Sequence, residues 1–192
     1  MQAYLKKCLL LLLPLVAFCF HAEAQATYKM SAGEFTVAGT SSLHDWTMTS
    51  KDAKGEAVVG IENNVLQDVT KLTVTVKSET LKSGKSGMDS NAYKSLETKK
   101  HPDIVFTLKS IKSITKSGDH YIVNAEGTLT IAGQARTMAV QAKAYPQGNQ
   151  IKFTGSKAFK MSDFKITPPT ALMGTVKTGD EITVNFDLTF KN

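Results

Sequence analysis

The stretch EITVNFDLTF (Glu181–Phe190) alternates without a break: Ile182, Val184, Phe186, Leu188 and Phe190 are separated by Thr183, Asn185, Asp187 and Thr189. Period-two alternation reads as a strand with one wet and one dry face. A dry face must be covered, and the chain has almost no amphipathic helix to cover it. Either two sheets bury one another, or one sheet curls around something apolar, and that choice decides the function.

Similar stretches recur at 26–31, 34–41, 44–50, 53–60, 70–79, 103–114, 120–131, 136–145, 150–160 and 181–190. LTVTVKS puts Leu72, Val74 and Val76 on one face, and DIVFTLKSI does the same for Ile104, Phe106 and Leu108. YIVNAEGTLTI aligns Tyr121, Val123, Ala125, Leu129 and Ile131 past Gly127, and TMAVQAKA aligns Met138, Val140, Ala142 and Ala144. The glycines of SGDH and IAGQAR mark hairpin turns, because glycine accepts positive φ. A β-branched, Thr-rich surface with such turns implies an all-β chain, an antiparallel barrel or a sandwich.

One short helix is expected in MDSNAYKSLETKKHP, with Asp89 or Ser90 as N-cap and Ala92, Tyr93 and Leu96 as its apolar stripe. Lys99, Lys100 and His101 suit its C-terminal end, and Pro102 stops it. The segments 80–87 and 161–180 read as loops, the second because Pro168-Pro169 cannot sit in a central strand. There is no internal repeat and no second domain.

The N-terminus carries Lys6 and Lys7, an apolar run over Cys8–Phe20, and Ala22-Glu23-Ala24. That is the pattern of a signal peptide over residues 1–24, too short for a membrane span, with cleavage after Ala24 or, alternatively, Ala26. Phe18 before Cys19 argues against a lipoprotein. The domain is then 25–192. Both cysteines lie in the signal, which leaves no disulfide and no thiolate chemistry. The net charge of +6 falls by one on processing, a basic surface suited to weak attraction to anionic lipid or phosphate. Export removes nucleic acid as a partner.

Few residues suggest chemistry. SGKSG lacks the first glycine of a phosphate loop, since Glu79 stands there. His44-Asp45 and His101-x-Asp103 are too short to specify a metal, and a solvated turn explains the first and a helix end the second. His120 is expected to be exposed beside its turn. No nucleophile elbow and no glycosidase-like acidic pair appear, so no enzyme activity, cofactor or metal is expected. Trp46, the single tryptophan, is either a lid over an apolar cavity or a core anchor. Phe106, Phe153, Phe159, Phe164 and Phe186 are core by default. In a barrel of about eight strands they would face a lumen just wide enough to be filled or to hold one ligand.

The ordered segments HPDIVFTLKSI, YIVNAEGTLTIAGQARTMAV and KMSDFKITPPTALMGTVKTGDEITVNFDLTF resemble the YceI-like family of exported proteins, and FTVAGTSSLHDWTMTSKDAKGEAVV resembles its opening. The resemblance implies an extended, lipocalin-like antiparallel barrel whose lumen holds a long isoprenoid chain, head near the mouth, in a periplasmic or secreted protein that binds lipid. By motif, Pro102 and Phe106 match a P-x-I-x-F element. Leu129, Thr130, Ile131 and Gly133 match LTI-x-G. Ser162, Asp163 and Phe164 match SDF, where many relatives carry Arg before the Ser and this chain has Met161.

The expectation is therefore a carrier that sequesters an isoprenoid or similar apolar lipid by burial. Its ligand-binding residues would be Leu72, Val74, Phe106, Leu108, Tyr121, Val123, Leu129, Val140, Phe153, Phe186 and Leu188, with Trp46, Phe159 and Phe164 shaping the mouth. Lys160 and Lys165 could attract a phosphate head or be simply solvated. No stable membrane span is expected after processing, and a homodimer is compatible with the chain. The rivals are a solid β-sandwich used for adhesion or protein contact, and an enzyme acting on lipid or sugar.

Overall fold

The first and last strands decide between barrel and sandwich. The structure, a computed structural model, describes residues 25–192; the expected signal segment lies outside them. β1 (Gln25–Ser41) pairs antiparallel with β10 (Val176–Lys191), from Lys29↔Lys191 to Ser41↔Thr178. The ring between them runs through β3 (Ala53–Glu62), β4 (Val65–Lys77), β5 (Asp103–Ser117), β6 (His120–Ile131), β7 (Gln134–Gln147) and β8 (Gln150–Lys160). Eight antiparallel strands thus close on themselves, which removes the exposed edges of an open sheet. The solid sandwich is overturned by this closure. β2 (Trp46–Ser50) pairs with the C-terminal half of β1 and β3 with its N-terminal residues, so together they fill one place in the wall. β9 (Thr170–Ala171) adds two residues against the start of β10.

The alternation of Glu181–Phe190 places Ile182, Val184, Phe186, Leu188 and Phe190 inward and the intervening polar residues outward. Two strands break that rhythm. In β4 the pairing with β3 skips Thr70 and Gln67, so the inward residues are Leu66, Val69 and Leu72. In β5 it skips Lys109 and Lys112, so Leu108, Ile111 and Ile114 point inward. Each β-bulge inserts one residue and stretches the inward spacing from two to three. This is why β4 begins at Val65, not at residue 70. β1 is likewise one strand across the gap expected at 32–33, with a register slip between Met30 and Ala32.

The two ends of the barrel differ. Hairpins at 63–64, 118–119 and 148–149 close one end. Their interior is dry: Tyr28, Ala57, Val59, Tyr121, Ile151 and Phe190 are buried there, with Phe153 and Phe190 edge to face at 6.0 Å. Asn63 and Asn64 both take positive φ, as a tight primed turn requires. The other end carries the longer connections: 42–45, 78–102 and 161–175.

Helix α1 (Ser86–Ser95) lies in the second of these. It starts earlier than the sequence indicates, with Lys85 at the N-cap, and ends at Ser95. Asp89 does not cap it. Its carboxylate accepts the amide of Ser83 (2.8 Å) and the hydroxyl of Ser83 (2.6 Å), tying the helix to the preceding loop. That loop joins the free edge of β2 through reciprocal Thr49–Lys82 backbone bonds of 2.8 and 2.9 Å. Tyr93 of the helix donates to the carbonyls of Glu79 and Leu81.

The Ser83 hydroxyl and amide hold the Asp89 carboxyl below the usual carboxylate range. A depressed folded-state value stabilises the fold above the unfolded value of about 3.9 and is lost as pH falls through the folded one. Below about pH 4 the loop–helix tie should weaken. Asp89→Ala should lower Tm at pH 7 by about 2–4 °C, equivalent to about 1 kcal/mol in a domain of this size. It should also flatten part of the acid decline in Tm, checked by thermal melts from pH 7 to 3; a decline identical to that of the parent protein would remove Asp89 from this role.

Candidate functional site: an apolar lumen open at one end

Inward-facing side chains are not all buried. Leu72, Phe106, Leu108, Leu129, Val140, Val184 and Phe186 point inward yet remain only half-buried. The reason is an interior cavity of about 940 Å³ that they line. This lies near the upper end of ordinary ligand sites and would hold about thirty water-sized groups. Leu43 and Met173 line it too, and both are exposed, at 66% and 108%. The cavity therefore opens to solvent at the end that carries the long connections.

Glycines keep the lumen clear. A Cβ on Gly127 would collide with the ring of Phe106, one on Gly155 with Phe186, and one on Gly39 with Trp46. Gly155 and Gly39 sit directly across the strand pair from their aromatic partners. Three rings thus fold down onto bare backbone instead of projecting across the lumen, an arrangement that also covers otherwise exposed peptide groups. Trp46 is fixed further by its indole N–H, which donates to the Thr40 carbonyl at 2.9 Å. It is half-buried and lines the mouth, so it is a wall residue at the rim and not a buried anchor.

The wall is braced where two strands part. Hydrogen bonding between β7 and β8 ends at Ala142↔Gly155. Above that level the 3₁₀ turn Met161–Phe164 fills the gap, and Arg136 Nε donates to the Asp163 carbonyl at 2.6 Å. Ser162 donates its amide (2.9 Å) and its hydroxyl to the carboxylate of Asp180, holding that carboxyl below its usual range, the hydroxyl contributing most. Phe164 packs edge to face on Phe159 at 5.2 Å.

Of the binding residues nominated from sequence, all but Tyr121 and Phe164 line the cavity. Tyr121 has the correct strand face but lies beside a hairpin of the closed end, 6% exposed within the dry core. Phe164 is 1% exposed, behind Phe159. Lys160 and Lys165 are exposed and stand outside the lumen. His120 is not exposed as expected: its side chain is 17% accessible, against Asp119 at 2.9 Å and packed on the ring of Tyr145. His44 is at the rim, its Nδ1 2.7 Å from the carbonyl of Asp45. Among the described residues no cluster of three or more metal-ligating side chains occurs. Sequence reasoning missed Phe35, Val37, Ile111 and Lys157, all of which line the cavity. For Ile111 the signal was the three-residue spacing from Leu108.

A match to the YceI-like domain spans residues 21–190. The chain belongs to the YceI-like family. No curated protein matches it significantly. Among solved structures this YceI-like barrel is similar to BcnA of Burkholderia cenocepacia (19% identity, TM-score 0.64), covering 82% of this chain and 95% of that one. It is similar also to a polyisoprenoid-binding domain from Saccharophagus degradans implicated in plant cell wall breakdown (12%, TM-score 0.63; 85% and 97% covered). A third is a YceI protein of Campylobacter jejuni (24%, TM-score 0.58; 73% and 81%). At these identities the likeness is one of fold.

Proposed function

We propose that this YceI-like barrel is a periplasmic or secreted carrier that sequesters one long apolar lipid, an isoprenoid or a chain of similar shape, and performs no catalysis. The observation that carries this reading is the ring of half-buried apolar side chains around a cavity open at one end. The polyisoprenoid-binding neighbour supports it. The outer face supports it too: Thr183, Asn185, Asp187 and Lys191 of β10 point outward, the reverse of the apolar outer band of a membrane barrel. Among the described residues no helix is long and apolar enough to cross a membrane.

Burial supplies the affinity. A twenty-carbon chain gains about 16 kcal/mol at about 0.8 kcal/mol per methylene, against about 4–15 kcal/mol for lost freedom on association. The surplus gives retention without any strong polar contact. The rival enzyme reading needs a His or carboxylate deep in the cavity; among the described residues no carboxylate lines it, and His44 is at the rim.

Trp46, the only tryptophan, reports occupancy of the mouth. Delipidated protein titrated with geranylgeraniol should show a saturable change in Trp46 emission and release a pre-bound hydrophobic dye. Emission that stays flat while the dye remains bound would refute the carrier reading.

A further inference from the structure

Along β8 the residues facing inward are Ile151, Phe153, Gly155, Lys157 and Phe159. Four are what a greasy lumen needs; Lys157 is not. It pairs across to Val184, which pairs to Val37, which pairs to Met48, so it is the one charge in an otherwise apolar belt. One layer further toward the mouth lie Phe159, Ile182, Gly39 and Trp46. Lys157 also sits just above the level where β7 leaves β8, with no β7 residue paired beside it. Among the described residues it makes no ion pair. Among the described residues the only other lysine on the cavity is Lys85, at the uncapped start of α1. Lys85 belongs to the connection after β4, four places around the eight-stranded ring from β8.

From this placement we infer that Lys157 is the head-group site of the lumen and that it selects lipids with an anionic head, a phosphate or a carboxylate, over neutral ones. The inference rests on the carrier reading and names the ligand class for it. While the lumen holds water, the ammonium is hydrated and costs little. A lipid that fills the lumen strips that water away. With a neutral head the ammonium finds at most a hydroxyl acceptor and its charge is left unpaired in an apolar site, which is unfavourable. With an anionic head the same ammonium gains a charge-assisted partner. Among the described residues no carboxylate lines the cavity to compete for it, so the penalty falls on the wrong ligand, as it does wherever a buried polar group is matched by one ligand and orphaned by another. Lys85 adds a second positive charge at the opening.

The test uses three probes that share one twenty-carbon chain: geranylgeraniol, geranylgeranoic acid and geranylgeranyl phosphate. Affinities come from Trp46 emission on delipidated protein. The unmodified protein should bind the phosphate and the acid at least about tenfold more tightly than the alcohol, the effect expected of a hydrogen bond to a charged group. The two anionic probes distinguish a phosphate from a carboxylate head. Lys157→Met should lose that preference in both directions: weaker binding of the anions and, with no ammonium to desolvate, tighter binding of the alcohol. Lys157→Arg should keep the preference. Circular dichroism confirms that each variant is folded. If the unmodified protein binds all three alike, or if Lys157→Met shifts all three together, the head-group role is wrong while the carrier reading stands. If none of the three binds, the carrier reading itself fails.

Discussion

Phe190→Ala should lower the stability of the barrel by about 3–5 kcal/mol, the range for deleting a fully buried aromatic ring. Phe190 is 0% exposed in the dry end, edge to face with Phe153 and beside Gly55. It does not line the lumen, so its removal leaves a void among packed side chains. Leu108→Ala changes a residue of similar hydrophobicity that faces the lumen, where it is already half-buried and next to open space. No new closed void forms, so the cost should stay near about 1 kcal/mol, well below the usual 2–5 for a core leucine. Urea denaturation of the two variants measures the difference directly. A Leu108→Ala cost as large as that of Phe190→Ala would mean that the barrel is filled along its length.

The second large effect is on binding. Ala125 faces the lumen opposite Ile111 and Val140 on the neighbouring strands. Ala125→Trp should place an indole in open space instead of in a packed core, so the overpacking penalty of about 1–3 kcal/mol should be largely absent and Tm should change little. The ring would instead occupy room for at least one five-carbon unit of a prenyl chain. At about 0.8 kcal/mol per methylene that is about 4 kcal/mol, and after relief of ordering costs the loss of geranylgeraniol affinity should still be about a hundredfold or more. Dye displacement, which does not depend on the added tryptophan, is the readout. Undiminished affinity would place the lipid elsewhere on the molecule.

The contrast between these two sites marks what could be read from sequence. Strict alternation in β6, β7 and β10 identified the inward face, because side chains in a regular strand repeat every two residues. Tyr121 shows the limit of that signal. Parity says which face a residue is on, not how far along the axis it lies, and Tyr121 falls in the dry plug. Ile111 and Val69 escaped because bulges at Lys112, Lys109, Thr70 and Gln67 shift the spacing from two to three. An aromatic ring at Phe164 suits a mouth residue, but the turn at Met161–Phe164 places it behind Phe159. Lys157 was legible by parity from Phe153 and Phe159, yet a lysine in a basic chain reads as solvated until the closed ring shows what it faces. The hollow interior had no signature in composition at all; volume is a property of eight strands together.

Native mass spectrometry of the protein purified under mild conditions from cells that export it reads whether the lumen holds a guest, with no probe chosen in advance. A species heavier than the polypeptide by the mass of one lipid is expected, its guest released on activation and absent from Ala125→Trp prepared in the same way. A bare polypeptide mass from both, in repeated preparations, would contradict the carrier reading.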